Sequence, residues 1–312
     1  MTFFHGLLGM NRRNACYTLV RNKRKLYPLV DNKLLTKQLL EDHSIPTPVL
    51  YFQIRHIFEL KFLREIKHLK EFVIKPARGA EGRGILVIVD RVGKHWKTAS
   101  GALLTTDDVE YHVSNILAGL YSLGGVDDEV FIEYFVKSHP LFYSLAYQGV
   151  PDIRMILYRG VPTMAMLRLP TKESGGRANL HQGAVGVGID MYEGITHGGV
   201  HKNKLIERHP DTDALIGGVR IPFWKTILET SVRTFDLFNL GYIGIDFVID
   251  SSLGPLILEL NARPGLSIQL ANHEGLLPRL QTIDSFGPDV EEMPPEKRLE
   301  LTQEMLVKIK RV

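Results

Sequence analysis

Three oxygen-bearing side chains, Asp246, Glu259 and Asn261, sit in two apolar runs parted by a short polar break: GYIGIDFVID, SSLG and PLILELNARPG, over residues 241–265. Apolar and other residues alternate in both runs, and the Ser-Ser-Leu-Gly break reads as a hairpin turn. Residues two apart in a strand share a face, so Glu259 and Asn261 point the same way. The hairpin can bring Asp246 beside them. Two carboxylates and an amide oxygen are hard donors of the kind a phosphate-carrying magnesium ion takes, since it keeps near-octahedral oxygen coordination with one or two carboxylates from protein. The same acids would also suit a solvated sheet face, where most carboxylates lie.

Phosphate chemistry needs cations as well. Lys75 ends the apolar run Phe72-Val73-Ile74, and Pro76 keeps that run out of a helix. Next comes Ala77-Arg78-Gly79-Ala80-Glu81-Gly82-Arg83-Gly84, ahead of a second apolar run at 85–89. Such a hairpin can turn backbone N–H groups toward an anion, and a lysine at its root is a point charge for phosphate oxygens. The loop is not a Walker loop, since no GxxxxGK[ST] exists. Nor is it a dinucleotide fingerprint, since Val87 stands where a third glycine would fall and no helix follows.

Glu133 falls in Phe131-Ile132-Glu133-Tyr134-Phe135-Val136, a strand by pattern. A buried acid there requires a partner, whether a lysine in a structural salt bridge or an adenine amino group. Asp152 and Arg154 share one face of a strand over 152–156, which pairs with Val161–Leu169 across Arg159-Gly160. Arg154 and Arg177 are planar groups suited to bidentate binding of phosphate or carboxylate. Arg177 lies with Asn179 and His181 in segment 171–182, a mobile loop by composition, in which arginine is otherwise an ordinary surface residue. His197 and His201 are four apart, but Gly198-Gly199 between them argues against a helix and so against a zinc pair.

These groups need elements to carry them. Asp31 reads as the N-cap of an amphipathic helix to Asp42, with Lys33 and Lys37 one turn apart and Ile45-Pro46-Thr47-Pro48 as the stop. Further helices are expected over 61–71, 105–121, 221–239 (with Pro222 at an early position) and 294–312, the last as a polar surface helix. Arg12, Arg13, Arg21, Lys23, Arg24 and Lys25 read as a solvated basic arm over residues 1–30. At 312 residues the chain can bury one large core or two modest ones, and a net charge of +3 is too small to argue for nucleic acid. Segments of membrane-spanning length and apolarity are lacking, and the mildly apolar start has its basic residues on the wrong side for a secretory signal. The lone Cys16 excludes an internal disulfide. A cytoplasmic protein is expected.

Seven motifs in order over residues 31–265 resemble the ATP-grasp superfamily, and within it the glutamate-ligase-like branch that includes the RimK-type ligases. They are Asp31-Asn32-Lys33 with Ile45-Pro46-Thr47-Pro48; Val73-Ile74-Lys75-Pro76 with Gly79, Gly82 and Gly84; Ile132-Glu133-Tyr134-Phe135; Asp152-Ile153-Arg154; Arg177-Ala178-Asn179-Leu180-His181; Gly244-Ile245-Asp246; and Glu259-Leu260-Asn261-Ala262-Arg263-Pro264-Gly265. The resemblance implies an α+β fold in which two α/β subdomains clasp ATP between them. Lys33, Lys75 and the loop of Gly79, Gly82 and Gly84 would contact phosphates, and Glu133, Tyr134 and Phe135 would receive the adenine. Asp246, Glu259 and Asn261 would hold magnesium, as one or two ions, with manganese as a substitute. Arg154, Arg177 and Asn179 would stabilise acyl-phosphate and tetrahedral intermediates, and Arg263 would touch substrate. The implied division is 1–30 as an arm, 31–132 with the lysine helix and glycine hairpin, and 133–312 with the metal site.

The resemblance has departures. Relatives usually carry a complete domain before the lysine helix, for which the basic arm, a second subunit or another partner would here compensate. An acid matching the ribose-binding position is lacking too. The segment from His209-Pro210-Asp211-Thr212 to Ile221-Pro222-Phe223-Trp224 is instead similar to sugar-transfer-associated ATP-grasp proteins. The expected function is an ATP- and magnesium-dependent ligase joining a small-molecule or peptide carboxylate to an amine through an acyl-phosphate. The alternatives are an ATP-dependent step on a sugar or cell-surface precursor, and a non-enzymatic nucleotide- or nucleic-acid-binding protein.

Overall fold

A computed structural model describes residues 5–79, 82–122 and 125–309. The chain forms two compact units, one of residues 1–31, 35–46 and 137–312, the other of residues 32–34 and 47–136. Each is built on its own antiparallel sheet.

The smaller unit has six strands: β1 (Leu50–Ile54), β2 (Phe72–Pro76), β3 (Leu86–Val92), β4 (His95–Thr98), β5 (Leu103–Leu104) and β6 (Val130–Glu133), in the order β1-β6-β2-β3-β4-β5. Phe72, Ile74, Ile88 and Ile132 alternate inward and meet Val109, Val113 and Ile116 of helix Thr106–Leu117. Thr105 caps that helix by accepting the Asp108 N–H, while the Asp108 carboxylate accepts the Thr105 N–H. The helix expected over 61–71 is a 3₁₀ segment over Ile57–His68, because the His56 and Glu59 capping box starts it earlier. The strand expected at 131–136 ends at Glu133.

The larger unit has seven strands: β7 (Asp152–Tyr158), β8 (Val161–Leu169), β9 (Val185–Ile189), β10 (Thr196–His201), β11 (Lys204–Ile206), β12 (Tyr242–Asp250) and β13 (Gly254–Asn261), in the order β11-β10-β9-β8-β7-β12-β13. Both faces are covered, so β8 and β12 are buried along their whole length. One face packs helix Trp224–Phe238 through Ile227, Phe235 and Phe238. The other packs Ile268, Leu280, Leu301 and Met305 from the C-terminal helices Ile268–Asn272, Leu277–Asp284 and Pro295–Ile309. The last helix is thus half core rather than a polar surface element. Its Arg298 is buried against Phe235 and paired with Asp236.

The expected basic arm is also part of this unit. Residues 10–21 are helical, with π winding over Arg13–Thr18. Arg13 is buried and donates to the Pro264 carbonyl at 2.6 Å. Tyr17 is buried against Tyr158 and Tyr242. Asn22 grips the final hairpin: its Nδ2 donates to the carbonyls of Tyr242 and Ala262, and its Oδ1 accepts the Tyr242 N–H. The apolar and amide residues between the cations dock this segment and leave only some of its charges to solvent. Asp31, expected as an N-cap, instead ends a helical turn over Pro28–Asp31. Asn32 Oδ1 accepts the Leu34 N–H at the start of helix Lys33–Asp42.

The segment opening at His209 is held by one ring. His209 is buried, its Nδ1 accepts the N–H groups of Asp211 and Thr212, and its Nε2 therefore donates to the Pro170 carbonyl at 3.0 Å.

Two outcomes test these contacts. Asn22→Ala strands buried backbone groups of the hairpin and should lower the unfolding free energy by roughly 2–4 kcal/mol in urea titration; a loss within about 0.5 kcal/mol would remove the clamp. Burial lowers the pKa of His112, His197 and His209 below the ordinary 6.5. Below pH 6.5 these three sites take up protons in the unfolded chain before the folded one, which outweighs the opposite contribution of the one carboxyl raised to about 7, Asp152, and stability should fall as pH drops from 7.5 to 5. A urea midpoint flat over that range would contradict the neutral, buried rings.

Candidate active site

The final hairpin builds the centre of the larger unit. In register, Asp246 on β12 faces Glu259 on β13 on one side and Arg154 on β7 on the other. Asp152 faces Arg168 across β7 and β8. Opposite residues on neighbouring strands stand close enough to pair, so register alone lays out a row of alternating charge. Arg154 Nε and Nη2 donate to the two carboxylate oxygens of Asp246 at 2.7 and 2.6 Å. Arg168 Nη2 donates to Asp246 Oδ2 at 2.8 Å and to Asp152 Oδ2 at 2.6 Å, and its Nε also donates to Asp152. Glu259 lies at the open end, its side chain 32% exposed and its Oε1 4.0 Å from Arg154 Nη2. Asn261 Nδ2 stands 3.4 Å from both Asp246 Oδ2 and Glu259 Oε1.

The electrostatics follow from this arrangement. Burial would raise the Asp246 carboxyl, but the Arg154 and Arg168 guanidinium groups outweigh it and hold the group well below the ordinary carboxylate range. Asp152 has Arg168 as its main counter-charge, and burial pushes it up to about 7. Burial would lower Arg168, but Asp152 and Asp246 outweigh it and hold the group charged. Arg168 is the member that motif reading missed. Its signal was present: a lone cation in the otherwise apolar strand β8, two residues along from the position facing Arg154.

Asp246, Glu259 and Asn261 thus converge as the hairpin spacing predicts. Three carboxyl groups and two guanidinium groups make up this cluster, which is open at Glu259. Glu259 and Asn261, backed by Asp246, fit the donor set of an ion that brings phosphate and water as its remaining ligands. The Asn261 amide could present its oxygen to such an ion by rotation of the group. No cluster of three or more His, Cys, Asp or Glu side chains able to hold a metal occurs among the described residues, and His197 and His201 lie in strand β10.

The other candidates of this unit are engaged differently. Arg177 Nη1 donates to Gln182 Oε1 at 3.4 Å, and Asn179 Oδ1 caps a short turn by accepting the His181 N–H. Arg263 is exposed and stacks on Tyr27, its guanidinium carbon 4.6 Å from the ring centroid.

The smaller unit gathers a second set. Lys75 on β2 and Glu133 on β6 are diagonal neighbours and form a buried ion pair. The lysine is therefore the partner that the buried acid requires. Lys33 Nζ donates to the Gly79 carbonyl at 2.8 Å, and its backbone N–H donates to the Ala77 carbonyl at 2.9 Å. In the glycine loop, Ala80 and Glu81 lie outside the described residues. Gly82 and Gly84 have φ of +73° and +75°, and a Cβ at Gly84 would lie 2.7 Å from the Tyr121 ring. The Arg78 N–H, expected to face an anion, instead donates to the Asp128 carboxylate at 3.0 Å. Tyr134 donates its N–H to the Val49 carbonyl at 2.9 Å, and Phe135 is half-buried.

The charged row predicts a contrast. Arg168→Met leaves Asp152 and Asp246 buried without their shared counter-charge and should cost about 3–5 kcal/mol in urea unfolding. Glu259→Gln, at the open end, should change stability by less than about 1 kcal/mol. Equal losses in the two variants would mean that the row is not organised around Arg168.

The family model described as sugar-transfer-associated ATP-grasp matches residues 12–285. No curated protein sequence matches the chain. Among solved structures, pyruvate carboxylase from Rhizobium etli aligns with a TM-score of 0.54 at 14% identity, over 90% of this chain and 20% of that one. D-alanine–D-alanine ligase from Bacillus anthracis, complexed with ATP, aligns with a TM-score of 0.47 at 14% identity, over 92% of this chain and 69% of that one. The ATP-grasp ligase PsnB, complexed with a minimal precursor, gives 0.42 at 14% identity over 78% of this chain, which spans 56% of the length of PsnB. Identities this low speak for fold alone; the family match covers most of the chain. With its α+β architecture, this chain belongs to the sugar-transfer-associated ATP-grasp family.

Proposed function

We propose that this protein is an ATP- and magnesium-dependent carboxylate–amine ligase. The observation that carries the reading is the row Glu259, Asp246 and Arg154, backed by Arg168 and Asp152, in a chain of the ATP-grasp family. Phosphoryl and acyl transfer depend on positioning and charge neutralisation more than on a protein nucleophile; in this reading the row supplies the positioning, and the magnesium it would hold supplies the neutralisation. In this reading Lys33 and Lys75 hold ATP phosphates, with Gly79, Gly82 and Gly84 closing over them. Glu133, Tyr134 and Phe135 take the adenine end. Glu259 and Asn261, with Asp246, hold magnesium, which when bound neutralises phosphate charge.

A carboxylate oxygen of the acid substrate attacks the γ-phosphorus, ADP leaves, and an acyl-phosphate results. The amine nitrogen then attacks the acyl carbon, phosphate departs with the electron pair of the broken C–O bond, and the nitrogen gives its proton to phosphate or water. In this reading Arg154, fixed by Asp246, meets the charge that develops, with Arg177, Asn179 and Arg263 as further contacts to the acyl group or acceptor. The single Cys16 takes no part. In this reading the reaction takes place in the cytoplasm.

A second reading differs in what is joined: an acid or amine carried on a sugar or cell-surface precursor, which the description of the matched family favours. A glutamate-type acid, favoured by the motif resemblance, belongs in the same test.

Purified protein with ATP, magnesium and a panel of acids (glutamate and a sugar acid among them) and amines should release ADP and form an amide seen by mass spectrometry. ADP without any amide would end the ligase reading. Glu259→Gln should lower ADP release on the order of 10²-fold with an unchanged melting temperature. Turnover near that of the parent would take the hairpin out of the mechanism.

A further inference from the structure

The larger unit holds a cleft of about 560 Å³ that includes none of the charged row. That volume is in the range of small-molecule sites. Its walls come from residues 173–184, the turn between β10 and β11, and the segment that follows the hairpin. Leu180, Val200 and Leu270 make its apolar side. At the rim, Glu173 Oε1 and Lys202 Nζ stand 2.8 Å apart, their side chains 49% and 57% exposed.

The local backbone is shaped for this rim. Gly183 has φ +98°, and a Cβ there would lie 3.0 Å from the Glu173 carboxyl carbon, so a side chain at this position would push Glu173 away. Lys202 and Asn203 both have positive φ, as a two-residue turn between twisted strands requires.

The rim therefore offers one carboxylate and one ammonium side by side, over an aliphatic wall. An exposed pair of this kind is held weakly and can exchange partners with a ligand. The lining holds no Phe, Tyr or Trp, and His181 is its one ring, so the cleft lacks the broad flat face on which sugar and base rings stack. We propose that this cleft binds the amine substrate, and that the substrate is a zwitterionic aliphatic amino compound, an α-amino acid or the corresponding end of a peptide. Glu173 faces its ammonium, Lys202 its carboxylate, and the aliphatic side chain lies on Leu180, Val200 and Leu270. This assignment of the amine rests on the ligase reading; the binding itself does not.

The test is therefore made without ATP. Saturation-transfer NMR and calorimetry on the full chain would use leucine of both hands, leucine amide and N-acetylglucosamine as probes. Leucine of one hand should bind, N-acetylglucosamine should not, and Leu180→Trp should weaken leucine at least tenfold without lowering the melting temperature. Lys202→Met should abolish the preference for leucine over leucine amide, and this variant decides the matter if Leu180→Trp fails to fold. Binding of N-acetylglucosamine but not leucine, no binding of any probe, or leucine binding unchanged in both variants would each overturn the proposal. If leucine binds as described but no acid supports ADP release, the ligase reading falls and the amino-acid site stands. If an amide forms from an amine of another class while leucine fails to bind, the site falls alone.

Discussion

The larger unit depends on one buried carboxylate. Asp246 sits in the middle of a sheet whose neighbouring positions are Ile245 and Phe247, with water excluded from both faces. An ionised acid there would be prohibitive by itself. Two guanidinium groups make it tolerable, and the same contacts fix Arg154 and Arg168 in rotamers that an exposed arginine would not keep. The arrangement is one unit: removing either of its central members, Asp246 or Arg168, leaves a charge buried without its partner. Only Glu259 escapes this interdependence, because β13 is the edge strand and its side chain reaches solvent. The sheet thus separates the groups that hold charge in place from the group that can meet a ligand.

The N-terminal helical residues matter for the same reason. The start of β12 and the end of β13 must be in register for Asp246 to face Glu259, since a slip by one residue would turn every side chain to the opposite face. Asn22 bonds to Tyr242 and Ala262, which lie two residues before Gly244 and one after Asn261 at the open end of the pairing, and Arg13 holds Pro264 just beyond. A segment far away in sequence thereby fixes the geometry of the site without contributing a group to it.

This division explains what the sequence discloses. The hairpin is legible because strand period and turn chemistry are local: Asp246, Glu259 and Asn261 follow from spacing alone. The Lys75 and Glu133 pair is half legible, since a buried acid announces a partner but not which one. Arg168 shows only as a lone cation in its strand; its partners follow from the pairing of β7 with β8 and β12, which no local pattern reports. The basic residues at 12–25 mislead for the converse reason. Charge density marks solvent, yet Tyr17, Asn22 and the guanidinium group of Arg13 find buried partners more than two hundred residues away or on distant strands. Asp31 and Asn32 are both plausible caps in one dimension, and the preceding turn over Pro28–Asp31 decides between them.

The segment opening at His209 sets this chain apart from the glutamate-ligase motifs, and its contacts point to the loop that rims the cleft. His209 binds the Pro170 carbonyl, and the Asp211 carboxylate accepts the Lys172 N–H at 2.7 Å. Thr171 Oγ1 donates to the Gly183 carbonyl at 2.8 Å, which closes the base of the loop that carries Glu173. His209 and Asp211 thus fix the backbone on which the rim carboxylate is mounted, while the charged row is built from other strands altogether. Within one fold, the charged row and the cleft are thus held by separate sets of contacts. Substitutions in the His209 segment can alter what is bound while Asp246 keeps its two arginines.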